Sequence, residues 1–451
     1  MEKERGSFSG KIGFVLAAAG SAVGLGNLWR FPYLAAKYGG GIFLLVYLIL
    51  AVTFGFALMT AEIAIGRKTG LSAIGAFGKL KKKFTFLGYL ESLVPVIILP
   101  YYCVIGGWLL KYTWAFLSGG AEVSAADGFF GSFIAQPTEP ALWFFLFLAL
   151  TALVVLFGVE KGIEKVSSIL MPILVILSVV VAVYTMLMPG AYRGVLYYIT
   201  PDLGRFSATT VLAAMGQLFY SMSLSMGIMI TYGSYMKKDV NLESSVKQIE
   251  IFDTGIAFLA GLMIIPAVFV FSGGDEAALG QGPGLMFVTL PKVFGSMAGG
   301  NIIGSVFFIL VFFAALTSSI SLMETVVSII IDKLKWSRKV TCVTVFIGSI
   351  LLGMPSSLGF GIWSGIKLLG MDILSFFDFI SNSVLMPIVA FLICIFAGYM
   401  IKPQALIDEA ELSGKFKRKK LFTVMIKYIA PVCIILILVS SVLSALGIIT
   451  I

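Results

Sequence analysis

Residues 11–37, KIGFVLAAAGSAVGLGNLWRFPYLAAK, are long enough to cross a bilayer yet broken in the middle. A spanning helix needs about 20 apolar residues, and this stretch reaches that length only by including Gly20, Gly24, Gly26 and Asn27. Glycine costs about 1 kcal/mol against alanine inside a helix, and backbone freed at membrane depth cannot be left facing lipid. Such a break survives where it lines a polar site. Unwinding over residues 22–26 would present carbonyls from the first half and N–H groups from the second. That gives an acceptor set for cations and a donor set for an anion. The competing reading is a glycine hinge or close packing of a neighbouring helix, and the rest of the chain must decide between them.

Across 451 residues, 59% are hydrophobic, 12% are charged and the mean hydropathy is +1.03. One soluble core could not hide that much apolar surface, so the chain reads as an all-α, polytopic membrane protein. Eleven spans are expected, at about 11–37, 41–66, 86–117, 141–158, 166–188, 208–235, 246–273, 300–332, 339–354, 370–401 and 421–449. The start shows no pattern of a cleavable signal peptide. Of the 32 Lys/Arg, 25 fall on one side, leaving Arg30, Lys37, Lys111, Arg193, Arg205, Lys292 and Lys367 for the other. That split places the N-terminus in the cytoplasm and the C-terminus outside, in the cell (inner) membrane. It also accounts for the +9 charge without nucleic acid. Cys103, Cys342, Cys394 and Cys433 lie on separate spans and read as packing residues. Histidine, the commonest metal ligand, is absent.

Several polar residues stand where lipid depth makes them costly. Span 2 carries Glu62 near its inner end, either a site residue or a solvated one. The loop 67–83, ending in three lysines, reads as a cytoplasmic retention signal, and the loop 119–139 shows no site. Span 3 holds Tyr101 and Tyr102, about 100° apart on a helix, so at most one readily faces a shared cavity. Gly162 and Pro172 suggest a kink or entry turn at span 5. Span 6 repeats the anomaly of span 1, with QLFYSMSLSMG at residues 217–227. Two interrupted spans, one opening each five-helix half, point to inverted repeats around a midplane site. Asp253 in span 7 has no basic residue within five positions and needs a cation, a proton or a donor. Ala314, Thr317 and Ser318 align a carbonyl and two hydroxyls on span 8, a hard-oxygen set, unless the hydroxyls back-bond to their own helix. Residues 402–420 form a basic linker, and span 11 reads as peripheral.

The stretches AAGSAVGLGNLWRFP (18–32), TYGSY (231–235) and FFAALTSSISLMET (312–325) resemble the neurotransmitter:sodium symporter family, whose bacterial members move amino acids with sodium. The likeness covers essentially the whole chain, although many members have a twelfth helix. It implies a 5+5 inverted-repeat core with discontinuous helices 1 and 6. The first repeat would be 11–188 and the second 208–401, with a gate segment at 1–10 and a peripheral helix 11 at 421–449. It implies two sodium ions. The first would use the Ala22 carbonyl, Asn27, Ser221, Asp253 and the substrate carboxylate. The second would use the carbonyls of Gly20, Val23 and Ala314 with the hydroxyls of Thr317 and Ser318. The substrate carboxylate would rest on the N–H groups of Leu25 and Gly26 and on the Tyr102 hydroxyl. Its amine would rest on the carbonyls of Ala22, Tyr220, Ser221 and Ser223.

By the same likeness, Ile98, Tyr102, Tyr220, Ser223, Met226, Ser318 and Leu322 would line the side-chain pocket. That lining is apolar and uncharged, so the expected substrate is a hydrophobic L-amino acid, aromatic or branched aliphatic. Gly24 stands where amine-carrying relatives have an acid, which favours a free carboxylate on the substrate. Asp253 followed by Ala257 departs from the chloride-dependent pattern of an amide followed by serine, so no chloride is expected. Arg30 with Asp378 resembles an outer gate and Arg5 with Asp332, near Tyr235, an inner one. Gly162 and Pro172 resemble a motif that unwinds the inner end of helix 5. A monomer is expected to suffice for transport. The alternatives are an amine transporter and a non-transporting amino-acid sensor. A membrane enzyme finds no nucleophile-base pair, cysteine cluster or P-loop in the sequence, and two broken spans with occluding tyrosines favour a carrier over a channel.

Overall fold

Spans 3 and 8, the longest apolar runs, form Lys82–Leu117 and Gly300–Leu334, and 78% of the most apolar window of each is buried inside the protein. They pack along one another at the centre of the molecule. Spans 4 (Glu139–Leu156) and 5 (Val159–Met186) have only 33% of that window buried and turn most of their surface outward. The computed structural model describes residues 6–273, 284–297 and 299–445. Among these, nine helices are long and apolar enough to cross a membrane, and Lys11–Ala22 with Gly26–Lys37 makes a tenth span bent by 52°. The remaining ones are span 2 (Gly41–Thr69), span 7 (Leu242–Ser272), span 9 (Arg338–Leu358), span 10 (Ile373–Met400) and span 11 (Lys419–Ser444). Span 6 is the eleventh, split into Ala208–Ser221 and Ile228–Ser234. The described residues contain helices and two isolated bridges but no strand. Expected and observed spans agree with ends displaced by a few residues, and the expected end of span 11 at 446–449 lies outside the described residues.

The N-terminal half of span 1 packs on spans 5, 7 and 8, while the C-terminal half of span 6 lies against span 2. Glycine makes that last contact possible. A Cβ on Gly66 would fall 1.9 Å from the Ile230 carbonyl oxygen, and one on Gly233 would fall 2.4 Å from that of Ile63. Pro95 and Pro100 are carried inside one unbroken span 3.

Three loops differ from the sequence reading. Arg67 belongs to the span 2 helix and is buried, pairing with Glu409 at 3.0 Å. Glu409 lies on helix Pro403–Glu411, so the linker before span 11 is a docked element. Beyond Arg67, the residues read as a retention signal form helix Ala73–Leu80. The outer loop after span 3 forms short helices Ala121–Ser124 and Phe129–Ala135, and the Lys292 ammonium beside Asp127 holds that carboxyl below the usual carboxylate range.

Candidate substrate and sodium chamber

The two interruptions face each other. In span 1 the helix stops at Val23, which is extended at φ −73 and ψ 103, and resumes at Gly26. In span 6 the gap at 222–227 holds Ser223, Ser225 and Gly227 at φ 52, 60 and 72. Positive φ is uncommon for serine and costs of order 1–3 kcal/mol where it is held. The partners that hold this gap are visible. Ser225 N donates to Glu62 at 2.7 Å, Gly227 N donates to Glu91 at 3.0 Å, and the Ser223 hydroxyl donates to the Ser21 carbonyl at 3.0 Å. Freed backbone N–H groups must find acceptors, and here carboxylates supply them. Glu62 is therefore fully buried at the break, and the solvated reading of it does not hold.

Between the two gaps lies a small cavity. Ala22, Leu25, Gly26, Ile98, Tyr102, Tyr220, Ser223, Met226, Ser318 and Leu322 border it, together with Ser21, Gly24 and Ile228, whereas Ser221 is not in its lining. The Tyr102 hydroxyl is buried close to the Leu25 backbone and the Ser318 hydroxyl. It meets the geometry of a hydrogen bond with neither, leaving a donor aimed into the cavity. Tyr101, pointing elsewhere, reaches Asp378 at 3.2 Å. Glycine keeps the gap in span 1 clear of its neighbours. A Cβ at Gly24 would stand 2.7 Å from Ser318 Oγ and 3.2 Å from the Tyr102 hydroxyl, and one at Gly26 2.6 Å from the Tyr220 ring.

Asp253 is fully buried and accepts from Asn27 Nδ2 at 2.8 Å, Ser221 Oγ at 2.8 Å and the Tyr47 hydroxyl at 3.2 Å. Asn27 Oδ1 in turn accepts from Gly24 N at 3.1 Å. Three of the groups expected at the first sodium set thus form one hydrogen-bonded cluster, and Ala22 borders the cavity beside it. For the second set, Ser318 Oγ lies 3.4, 3.0 and 3.3 Å from the carbonyl oxygens of Gly20, Ser21 and Val23. Thr317 Oγ1 lies 3.1 Å from that of Ala314. Both clusters are oxygen-rich, and the described residues hold no grouping of His, Cys, Asp or Glu suited to a transition metal. Such donors suit a hard cation.

The expected gate residues are placed in part. Arg30 and Asp378 border one cavity without closing an ion pair. The Arg30 guanidinium lies 5.4 Å from the centre of the Tyr220 ring, and Asp378 takes Asn382 at 2.6 Å. On the inner side Arg5 lies outside the described residues. Asp332 accepts from the backbone and hydroxyl of Ser72 at 2.8 and 2.6 Å, and Tyr235 donates to Glu324 at 2.7 Å. Arg338 also pairs with Glu324. Residues 159–164 are wound, in wide π-type turns that lead into the rest of span 5. Sequence reasoning missed Tyr47, Glu91, Glu324 and Gln217, which donates to the Gly26 carbonyl at 2.8 Å. The rule that flagged Asp253, a charge at lipid depth, would have found both glutamates.

A model of the Sodium:neurotransmitter symporter family matches residues 5–121 and 131–448. The chain is 34% identical to the uncharacterized sodium-dependent transporter YhdH of Bacillus subtilis over 97% of each chain. It is 32% identical to an uncharacterized sodium-dependent transporter of Haemophilus influenzae, over 97% of this chain and 98% of that one. The crystal structure of MhsT in complex with L-phenylalanine superposes with a TM-score of 0.87 at 39% identity, over 97% of this chain and all of that one. With its two broken spans around a chamber of hard oxygens, the chain belongs to the sodium:neurotransmitter symporter family.

Proposed function

We propose that this protein carries a hydrophobic L-amino acid across the cell (inner) membrane together with two sodium ions, by alternating access and without chloride. The observation that carries the reading is the chamber between the two breaks. The Tyr102 hydroxyl and the start of the second half of span 1 line it, and Gly24, also in its lining, donates to Asn27 of the buried Asp253 cluster. A substrate carboxylate placed on Leu25, Gly26 and Tyr102 would face the Asp253 charge. A cation between them, on Ala22, Asn27 and Ser221, removes that repulsion. Unit charges about 4 Å apart interact by about 4 kcal/mol at intermediate dielectric, enough to make amino acid and sodium bind cooperatively. The second ion rests on neutral oxygens of Gly20, Val23, Ala314, Thr317 and Ser318, and couples span 1 to span 8.

The substrate's side chain would lie against Ile98, Met226 and Leu322, with no formal charge to select a charged one. Met226 can re-pack around ligands of different shape, and the relative solved with L-phenylalanine supports the aromatic class. Chloride independence rests on Asp253 supplying a fixed charge, with Ala257 rather than a serine one turn on. Residues 11–188 and 208–401 act as the two inverted halves, 1–10 as an inner gate segment and 421–449 as a peripheral helix. The N-terminus is cytoplasmic by the distribution of basic residues. Arg30 and Asp378 close the outer side, and Arg5, Asp332 and Tyr235 the inner. One chain supplies every group that the cycle needs, and none of them performs catalysis. The test is uptake into proteoliposomes, with the twenty amino acids as competitors. Strong inhibition by tryptophan, phenylalanine or leucine in sodium, lost in potassium and unchanged in gluconate, is expected; better inhibition by lysine, glutamate or tryptamine would refute the substrate class.

A further inference from the structure

Glu62 on span 2 and Glu91 on span 3 are fully buried and belong to neither the chamber nor the sodium sets. They are drawn together by residues two apart in the span 6 gap, Ser225 and Gly227, whose N–H groups they accept at 2.7 and 3.0 Å. Glu62 is a charge that acts on Glu91. Each acid has one oxygen left over. Glu62 Oε2 and Glu91 Oε2 have no hydrogen-bond partner among the described residues, and the Ser225 hydroxyl, buried beside Glu62, has none either.

The surrounding charges are committed elsewhere. Arg67 and Lys238 hold Glu409, Arg338 and Tyr235 hold Glu324, and Arg418 lies by Glu243 and Glu250. Lys79 bonds the Thr69 carbonyl, Asp332 takes Ser72, and Tyr232 reaches Ser321. Asp253 has its three donors. From span 10 the remaining titratable neighbour is the buried Cys394 thiol. Among the described residues no cation reaches either acid.

Two neighbouring carboxylates out of water do not both stay charged without a counter-ion. A single hydrogen supplies what the unpartnered oxygens lack and leaves one negative charge, stabilised by two backbone N–H groups. We propose that Glu62 and Glu91 together bind one proton at neutral pH, forming a proton site that fastens the span 6 gap to spans 2 and 3. One proton is held at net charge −1, and its release to water leaves −2. The pair titrates as a unit. Because the gap donates to both acids, a movement of Ser225 and Gly227 changes the proton affinity of the pair, and protonation biases the gap in return.

The test is infrared spectroscopy of the full-length protein in lipid nanodiscs, a readout that needs no transport and so stands apart from the proposed cargo. The wild type is expected to show the carbonyl stretch of a protonated carboxyl at pH 7. That band should shift on labelling with carbon-13 glutamate and disappear as a single proton at alkaline pH. Glu91→Gln and Glu62→Gln should each lose it, because the remaining acid then ionises beside a neutral amide. Should one variant fail to fold, the other and the labelled wild type still decide. A band unmoved by glutamate labelling, absent from the wild type, retained in a folded variant, or displaced by adding sodium would overturn the proposal.

Discussion

The Asn27 side-chain amide donates to Asp253 Oδ1 at 2.8 Å, joining residues 226 apart in the chain and tying the break in span 1 to span 7. Ser221 donates to the same oxygen at 2.8 Å, so the two breaks meet on one carboxylate. The charge of Asp253 is thereby positioned by both halves of the fold.

Replacing Asp253 by Asn and Ala257 by Ser should transfer the need for an anion to the solution. Uptake by the double variant in gluconate is expected to fall at least about tenfold, about 1.4 kcal/mol, and to recover in chloride. Uptake equally weak in both media would contradict the role given to the Asp253 charge.

Tyr102→Phe removes a hydroxyl that has no hydrogen-bond partner among the described residues. The apo protein should melt at an unchanged temperature, since nothing in the fold depends on that donor. Amino-acid affinity measured by calorimetry in sodium should drop about 10- to 100-fold, the worth of a hydrogen bond to a charged group, about 1.5–3 kcal/mol. An unaltered affinity would remove Tyr102 from the carboxylate site.

Gly24→Ala brings a methyl to 2.7 Å from Ser318 Oγ. The serine can turn away, but it then leaves the carbonyls of Gly20, Ser21 and Val23. Folding should survive while the sodium concentration for half-maximal binding rises several-fold, as read by sodium titration of substrate binding.

Glu409→Gln should act on stability. Arg67 is 2% exposed and Glu409 3%, so the change strands a buried cation, which costs roughly 3 kcal/mol. The melting temperature should fall, with uptake per folded molecule retained; thermal unfolding beside transport assays separates the two.

Much of this was legible because lipid makes polarity expensive. The glycines of span 1, the serines of span 6 and Asp253 each broke the rule that a span is uniformly apolar; the first two lie at or near the breaks and Asp253 is hydrogen-bonded to residues beside both. Family likeness then matched particular residues to the two oxygen clusters. Hydrophobic pattern carries no record of distant pairing, so Arg67 read as a loop charge, although its partner lies 342 positions away. Tyr47 was hidden for the same reason, one tyrosine in the apolar stretch Gly41–Leu50 whose acceptor is on another span. Depth along a helix is equally poorly encoded, which is why Glu62 could be read as wet.

Where Gly66 meets the Ile230 carbonyl and Gly233 meets that of Ile63, two backbones touch with no side chain between them. Sliding either past the other would drive main-chain atoms into collision. The C-terminal portion of the sixth helix is thus clamped to its neighbour main chain against main chain, so that anything larger than hydrogen at either glycine must prise the two apart.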